Sequence, residues 1–420
     1  MQALRGTKDI LPHEIILWQH IYQIANEILT QYNYNEIRTP IIEKTDLFYR
    51  SIGDFTDIVN KEMYNFTDQG KRNISLRPEG TASIARAFIS NRLYSNQKVN
   101  KLWYLGPMFR YERPQKGRQR QFHQLGLECL GSSQPISDVE VIRLAIKILE
   151  GLKCPEYILE INSIGNLEER RRYQINLINY LTKYKNDLDI DSQNRLQINP
   201  LRILDSKNLK TQEILLEGPK LKDYLQSDSR NHFNQICTHL NYLNINYKIN
   251  DNLVRGLDYY NYTAFEIKTN QLNQQSTVCG GGRYDQLIKQ LGGPDIPSVG
   301  WAIGIERLII VIKNTLKIKK KKNIIYIVTQ TKKINYYLWD VIQILEKSNI
   351  KFELDLISSS LNKQIKRAKI SGAKICFIIG EEEIKNQYIT IKWLENSIQQ
   401  QVEIQQLQNY LIYLKYSIET

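Results

Sequence analysis

Two aromatic-rich stretches dominate the middle of the chain: Leu102-Trp103-Tyr104-Leu105-Gly106-Pro107-Met108-Phe109-Arg110-Tyr111-Glu112 and Gln121-Phe122-His123-Gln124-Leu125-Gly126-Leu127-Glu128-Cys129. Between them runs a loop, Arg113 to Arg120, dense in arginine, lysine and glutamine. Two β-prone runs this close in sequence pair as an antiparallel hairpin, because a parallel return needs a long crossover. The fold must therefore contain antiparallel sheet with a basic hairpin tip. Side chains alternate faces along a strand, so Arg110 and Glu112 share one face, and Phe122, Gln124 and Glu128 share one face of the partner. Leu125, Leu127 and Cys129 point the other way and seek the core. Gln124 and Glu128 are left on a surface that needs a ligand or water to satisfy it; an ordinary solvated sheet face has the same pattern. His123 falls on the apolar parity, as a hydrogen-bonded packing histidine would.

Three further segments have chemical character. In Leu76-Arg77-Pro78-Glu79-Gly80-Thr81-Ala82 an apolar strand turns into a helix from Ser83 to Phe88, with Glu79 and Thr81 at the handover. Thr81 is either a site residue or a helix cap that accepts a backbone N–H. Leu253 to Tyr262 contains Arg255, a fixed planar donor fork suited to carboxylate or phosphate, and is followed by Cys279-Gly280-Gly281-Gly282-Arg283-Tyr284-Asp285, where a glycine triplet lets backbone approach a ligand closely. The triplet lacks the Gly-Lys-Ser/Thr ending of a P-loop and the Gly-x-Gly-x-x-Gly pattern of a dinucleotide fold. Pro297 to Leu308 is a small-residue strand leading into an apolar helix with Arg307 in its first turn, suited either to a nucleotide phosphate or to an exposed surface arginine.

The length of 420 residues implies two or three domains. The hydrophobic residues, 42% of the chain, are spread over short segments, which argues against a membrane span. The start runs into Asp9-Ile10-Leu11-Pro12 without an apolar signal core, so the chain is expected to work where it is made. Five scattered cysteines without a Cys-x-x-Cys pair suit reduced thiols, and no dedicated metal site is expected. A net charge of +13 favours a polyanion such as RNA or DNA, or reflects the lysine and asparagine usage of an AT-rich genome. The clearest boundary is the basic run Lys317 to Lys322. Beyond it Ile324–Val328, Phe352–Leu356 and Ile375–Ile379 read as strands and Tyr336–Lys347 and Leu361–Ser371 as helices, a small α/β domain with a largely parallel sheet. Residues 166–250 read as polar helical segments.

In this order the segments resemble the core of class II aminoacyl-tRNA synthetases, and Leu253 to Asn261 is similar to the signature of the histidine enzymes among them. Arg5-Gly6-Thr7-Lys8-Asp9 and Arg38-Thr39-Pro40 resemble the family's opening and its dimer-forming first motif, Arg77 to Thr81 and Arg113 to Gln124 follow it closely, and Leu204-Asp205-Ser206-Lys207 is a family-like patch in the helical region. The resemblance covers residues 1 to about 130 and 250 to 312; the rest matches by position and pattern. Tyr262 stands where a basic residue is common, and Ser298 and Trp301 replace more usual residues.

The resemblance implies an α+β fold. An antiparallel-sheet catalytic core (1–165 and 251–316) would be interrupted by a helical insertion (166–250) and followed by a basic linker (317–322) and an α/β anticodon-binding domain (323–420). It implies a homodimer that activates L-histidine with ATP and Mg²⁺ and transfers it to tRNA(His), with neither membrane nor DNA as partner. The setting would be the plastid stroma for an organelle-encoded gene, or a bacterial cytoplasm. Arg110 and Arg255 would be catalytic, binding the reacting carboxylate and α-phosphate. Arg307 would lie on the far side of ATP, and Phe122 would stack on adenine with Glu112 and Arg118 nearby. Glu79, Thr81 and Gln124 would meet the amino group of histidine, and Glu128 with Tyr259 and Tyr260 its imidazole. Arg113, Gln115 and Arg120 would meet the tRNA acceptor end, which in this family bears an extra guanosine, or make nonspecific phosphate contacts. A noncatalytic paralogue that regulates histidine biosynthesis is disfavoured by Arg255, the intact 113–124 loop and the tail from Asn323. A tRNA-binding sensor module without enzyme activity is the other alternative, and ATP–pyrophosphate exchange would set it apart.

Overall fold

A computed structural model describes residues 1–53, 56–270, 277–316, 325–330, 336–357 and 359–419, with side chains to 414. The basic run at 317–322 and Asn323–Ile324 lie outside the described residues. The chain divides into two compact units, Met1–Ile318 and Lys319–Thr420.

The first unit holds β1 (Asn35–Glu36), β2 (Ile42–Lys44), β3 (Tyr64–Thr67), β4 (Asn73–Leu76), β5 (Asn100–Phe109), β6 (Gln121–Leu130), β7 (Ile158–Ser163), β8 (Tyr247–Ile249), β9 (Asn261–Lys268), β10 (Thr277–Arg283) and β11 (Ser298–Gly304). Eight of them form one sheet in the order β1-β5-β6-β11-β10-β9-β7-β8. Its six central strands are antiparallel, and only the short edge strands β1 and β8 pair parallel. The expected hairpin is β5–β6, in register Leu102↔Glu128, Tyr104↔Gly126, Gly106↔Gln124 and Met108↔Phe122.

Alternation divides the two faces as the pattern predicts. Trp103, Leu125, Leu127 and Cys129 join Ile21, Ile142, Leu149, Leu308 and Val311 in a core under helices Pro12–Gln31, Pro135–Gly151 and Ile305–Ile312. On the other face Leu102, Tyr104, Met108 and Leu130 pack with Ile84 and Phe88 of helix Thr81–Ser90 and with Tyr173 and Leu177 of helix Leu167–Thr182. Between β7 and β8 the chain is helical, with helices Leu167–Thr182, Ile190–Ile198, Leu209–Glu217 and Ser227–Tyr242. Asn166, Asp189 and Asn208 cap three of them by accepting backbone N–H groups, which explains how such polar segments hold their ends. A small antiparallel sheet, β2-β4-β3, delivers Arg77 to Thr81 to the start of helix Thr81–Ser90.

In the second unit β12 (Ile325–Thr329), β13 (Phe352–Leu354), β14 (Ile375–Ile379), β15 (Tyr388–Trp393) and β16 (Gln399–Glu403) form one sheet in the order β13-β12-β14-β15-β16. Only β13, β12 and β14 are parallel; β15 and β16 run antiparallel. The expectation of a largely parallel sheet is thus corrected to a mixed one. After Ile379 the chain passes through the short helix Glu381–Asn386 and returns antiparallel as Tyr388–Trp393, because so short a connection cannot carry the crossover that a parallel strand needs. No helix among the described residues is long and apolar enough to cross a membrane, and the five cysteines are free thiols.

Candidate active site

A cleft of about 190 Å³ opens on the sheet face that carries Gln124. Glu79, Thr81, Arg110, Glu112, Arg118, Phe122, Gln124, Arg255, Tyr259, Tyr260 and Arg307 line it together, although they come from four separate chain segments. Glu128 lies behind the cleft wall, and Arg113, Gln115 and Arg120 lie outside the lining.

The cations are held from behind. Arg110 donates from Nε to the Pro78 carbonyl at 2.9 Å, and its guanidinium lies 5.2 Å from the Phe122 ring centre. Arg307 donates to the Gly117 and Thr277 carbonyls at 3.1 and 3.2 Å, joining the hairpin tip to β10. Burial and the Arg118 charge lower its pKa. Glu112 sits 3.2 Å from Arg118 Nη1 and 4.0 Å from Arg110 Nη1.

Arg255 donates from Nη1 to Glu266 and lies 5.5 Å from the Tyr260 ring centre. Burial works against its charge, but the Glu266 carboxylate together with the Tyr260 and Tyr259 hydroxyls raises its pKa. A Cβ on Gly280 would come within 2.3 Å of this guanidinium, and one on Gly281 within 2.3 Å of the Gly300 carbonyl. The glycine triplet was expected to let backbone approach a ligand, and Gly280 does line the cleft. The missing side chain of Gly280 also makes room for Arg255, and that of Gly281 for the neighbouring strand, β10 being a central strand whose backbone is paired on both sides.

At the other end of the cleft Thr81 is the first residue of its helix, not its cap. Glu79 does the capping, its two oxygens accepting the N–H groups of Thr81 at 2.6 Å and Ala82 at 2.7 Å. Burial pushes the Glu79 pKa up against these bonds. The Thr81 hydroxyl is thereby free to donate to Glu128 Oε1 at 2.7 Å, while the Tyr284 hydroxyl donates to Oε2. Burial pushes the Glu128 carboxyl up to about 8, against these two hydrogen bonds. Gly300 makes this possible, since a Cβ there would sit 1.9 Å from Glu128 Oε2. The Tyr259 and Tyr260 rings lie tilted by 41° with their centres 4.6 Å apart, and Tyr284 meets Tyr259 edge-on at 5.6 Å. Gln124 Oε1 and Arg255 Nε are buried without hydrogen-bond partners among the described residues. Two such orphans lining one cleft mark where a polar ligand belongs.

His123 is the hydrogen-bonded packing residue its parity suggested, with Nδ1 2.9 Å from Glu306 and its ring against Trp18. At the hairpin tip Gln115 and Arg118 exchange backbone hydrogen bonds, and Gln115 and Arg113 are exposed. Arg120 is more confined, with its guanidinium 3.9 Å from the Tyr111 ring centre and its backbone N–H donating to the Gly6 carbonyl. Among the described residues no group of three metal-ligating side chains occurs. Glu266, Thr277 and Tyr284, which hold Arg255, Glu266 and Glu128 in turn, were not singled out in the sequence. Tyr284 lay inside a quoted segment, but nothing in alternation tells which tyrosine meets a carboxylate two strands away.

An antiparallel sheet with a ligand cleft on one face, fed by arginines from a hairpin and from the helix after the last strand, is the core of a class II aminoacyl-tRNA synthetase. Comparison with known proteins narrows this further. The family model described as histidyl-tRNA synthetase matches residues 6–308, and one described as an anticodon binding domain matches 321–413. The chain is 63% identical over 399 residues to the chloroplastic histidine–tRNA ligase of Gracilaria tenuistipitata var. liui, covering 95% of each. It is 52% identical to the histidine–tRNA ligase of Rippkaea orientalis, over 97% of this chain and 95% of that one. The crystal structure of apo histidyl-tRNA synthetase from S. aureus matches with a TM-score of 0.81 at 34% identity, over 98% and 99% of the two chains. The chain belongs to the histidyl-tRNA synthetase family.

Proposed function

We propose that the cleft performs the family's reaction through the residues that line it. L-histidine is activated with ATP to histidyl-adenylate, releasing pyrophosphate, and the histidyl group then passes to the 3′ end of tRNA(His), releasing AMP. In the first step the histidine carboxylate attacks the α-phosphorus. In the second the terminal ribose hydroxyl attacks the mixed anhydride. Negative charge builds on phosphoryl and then carbonyl oxygens, so positioned cations in a water-poor site supply most of the stabilisation. Arg110 and Arg255 hold the carboxylate and α-phosphate, Arg307 the far end of ATP, and Phe122, already faced by Arg110, the adenine, with Glu112 and Arg118 beside it. Glu79, Thr81 and Gln124 receive the ammonium group.

The tyrosine pair flanks the imidazole, and Glu128 acts from behind Thr81 and Tyr284. A buried polar pocket of this kind rejects side chains that leave its groups unpaired by roughly 10⁴-fold or more. The observation that carries the reading is that Arg110, Arg255 and Arg307, distant in sequence, line one cleft with the orphaned amide of Gln124.

ATP brings Mg²⁺. The described residues offer no three-ligand cluster, which suits an ion held chiefly by phosphate oxygens and water. Glu112, which lines the cleft with its Oε2 3.2 Å from Arg118 Nη1, is the protein carboxylate that would hold it. When bound, the ion neutralises phosphate charge. Arg113, Gln115 and Arg120 at the hairpin tip meet the acceptor end, residues 323–420 read the anticodon, and the enzyme works as a homodimer. The likeness to chloroplastic relatives supports the plastid stroma as its setting, and the likeness to cyanobacterial ones supports the alternative, a bacterial cytoplasm.

Pyrophosphate exchange measured across the twenty amino acids should respond to histidine alone. Exchange with another amino acid, or none at all from folded enzyme, overturns the reading. Arg255→Ala should slow histidine-dependent exchange by roughly 10² or more, as loss of an oxyanion donor does; unchanged turnover at saturating substrate removes Arg255 from this role.

A further inference from the structure

The residue that decides how Arg255 is presented is not in the cleft. Arg255 comes from the irregular stretch before β9, where no helix or strand fixes its path. A long side chain on such a stretch needs an external partner to keep one rotamer, since about 2 kcal/mol of rotamer entropy opposes it.

Glu266 is that partner. It stands on β9 directly opposite Gly280 of β10, so the space left by the missing side chain of Gly280 lies beside the Glu266 carboxylate. The Arg255 guanidinium fills that space and donates from Nη1 to Glu266 Oε1. The other oxygen accepts from the Thr277 hydroxyl at 2.8 Å and lies 3.6 Å from Lys268 Nζ, which is itself held by Glu160 at 2.7 Å. Both carboxylate oxygens are thus held, Oε1 by Arg255 and Oε2 by Thr277, itself a lining residue, and the side chains of the Arg255–Glu266 pair are only 16% and 17% exposed. Pinning Nη1 leaves the Nε–Nη2 edge of the guanidinium, which can grip a carboxylate or phosphate with two parallel hydrogen bonds. Nε, on that edge, is buried without a partner among the described residues.

We infer that Glu266, oriented by Thr277, is a positioning residue for the activation step, holding Arg255 by one nitrogen so that its Nε edge stays turned to the reacting carboxylate and α-phosphate. This rests on the role proposed above for Arg255. A displacement of about 1 Å in such a group costs up to about 10²-fold in rate. Glu266 also has to leave Arg255 charged without competing for the substrate edge, which a carboxylate confined to Nη1 does.

The test is a double-mutant cycle on histidine-dependent pyrophosphate exchange, with kcat and KM measured separately. Glu266→Ala should lower kcat by roughly 10-fold to 100-fold and should cause no further loss in an Arg255→Ala background, because it acts through Arg255. Glu266→Gln, which keeps an acceptor for Nη1, should recover most of kcat. Thr277→Val, which leaves both charges in place and keeps the side-chain volume, should show a smaller loss of the same kind and decides the matter if Glu266→Ala does not fold. Losses that multiply with that of Arg255→Ala, or a Thr277→Val enzyme with unchanged kcat, overturn the inference. If Arg255→Ala itself leaves exchange intact, it is the assignment of Arg255 that fails.

Discussion

Glu128 illustrates how far a residue's chemistry depends on what surrounds it. Alternation along β6 placed it on the polar face, and that was legible. Its position behind the cleft, with Thr81 on one oxygen and Tyr284 on the other, depends on strands that are distant in sequence. Its folded pKa of about 8 lies above the ordinary value of 4.5, so the folded state binds this proton more tightly than the unfolded state does. The stability it contributes is full below about pH 4.5 and is lost as the pH rises through about 8. Glu128→Gln has no proton to lose. Its melting temperature relative to the parent should therefore rise by roughly 5 °C between about pH 5 and pH 9 in thermal unfolding scans. Parallel curves would mean that the carboxyl does not titrate in that window.

At the scale of the element, the hairpin and the glycine strand show opposite degrees of legibility. β5 and β6 announce themselves because period-2 alternation and a polar tip are local properties. The Gly280-Gly281-Gly282 strand does not, because a glycine's purpose is set by whatever fills the space beside it. Gly280→Ala would press only on the far end of a flexible arginine, at 2.3 Å, whereas Gly281→Ala would press on the backbone carbonyl of Gly300. The first should fold normally and lose histidine activation. The second should unfold more easily, by roughly 1–3 kcal/mol, as overpacked positions do. Chemical denaturation paired with pyrophosphate exchange separates the two, and a Gly280→Ala enzyme of full activity would contradict the packing described here. Helix Thr81–Ser90 teaches the same lesson: a helix there was legible from Ser83, with Thr81 open as either a cap or a site residue, but nothing in the string pointed to Glu79 as the side chain that caps it.

For the whole molecule the deciding fact is that each unit has hydrophobic clusters of its own among the described residues. The two large sheet cores and the small cluster around Phe48 lie within Met1–Ile318, and the clusters around Phe377 and Val328 lie within Lys319–Thr420. A chain ending at Ile318 should therefore fold and keep histidine-dependent pyrophosphate exchange. If the second unit supplies a separate RNA contact, tRNA charging at low tRNA concentration should fall by roughly 10² or more, since one of two linked binding modules is gone. Equal charging by the shortened enzyme would remove the second unit from tRNA binding. The α/β character of that unit was legible from its alternating segments, while its two antiparallel strands lay beyond the point where the alternation stopped.

The sequence by itself determined the antiparallel hairpin, the polar and apolar faces of its strands, the helical stretch between β7 and β8, and the family to which the motifs belong, because each follows from periodicity or from a local string of residues. Only the tertiary structure decided that Glu79 rather than Thr81 caps the helix, that Gly280 and Gly300 exist to admit Arg255 and Glu128, and that Glu266 stands behind the cleft. The Glu79 cap is local, but it is only one of several hydrogen bonds those residues could form; the others are contacts between segments distant in the chain, and side-chain spacing along a single strand carries no record of its neighbours.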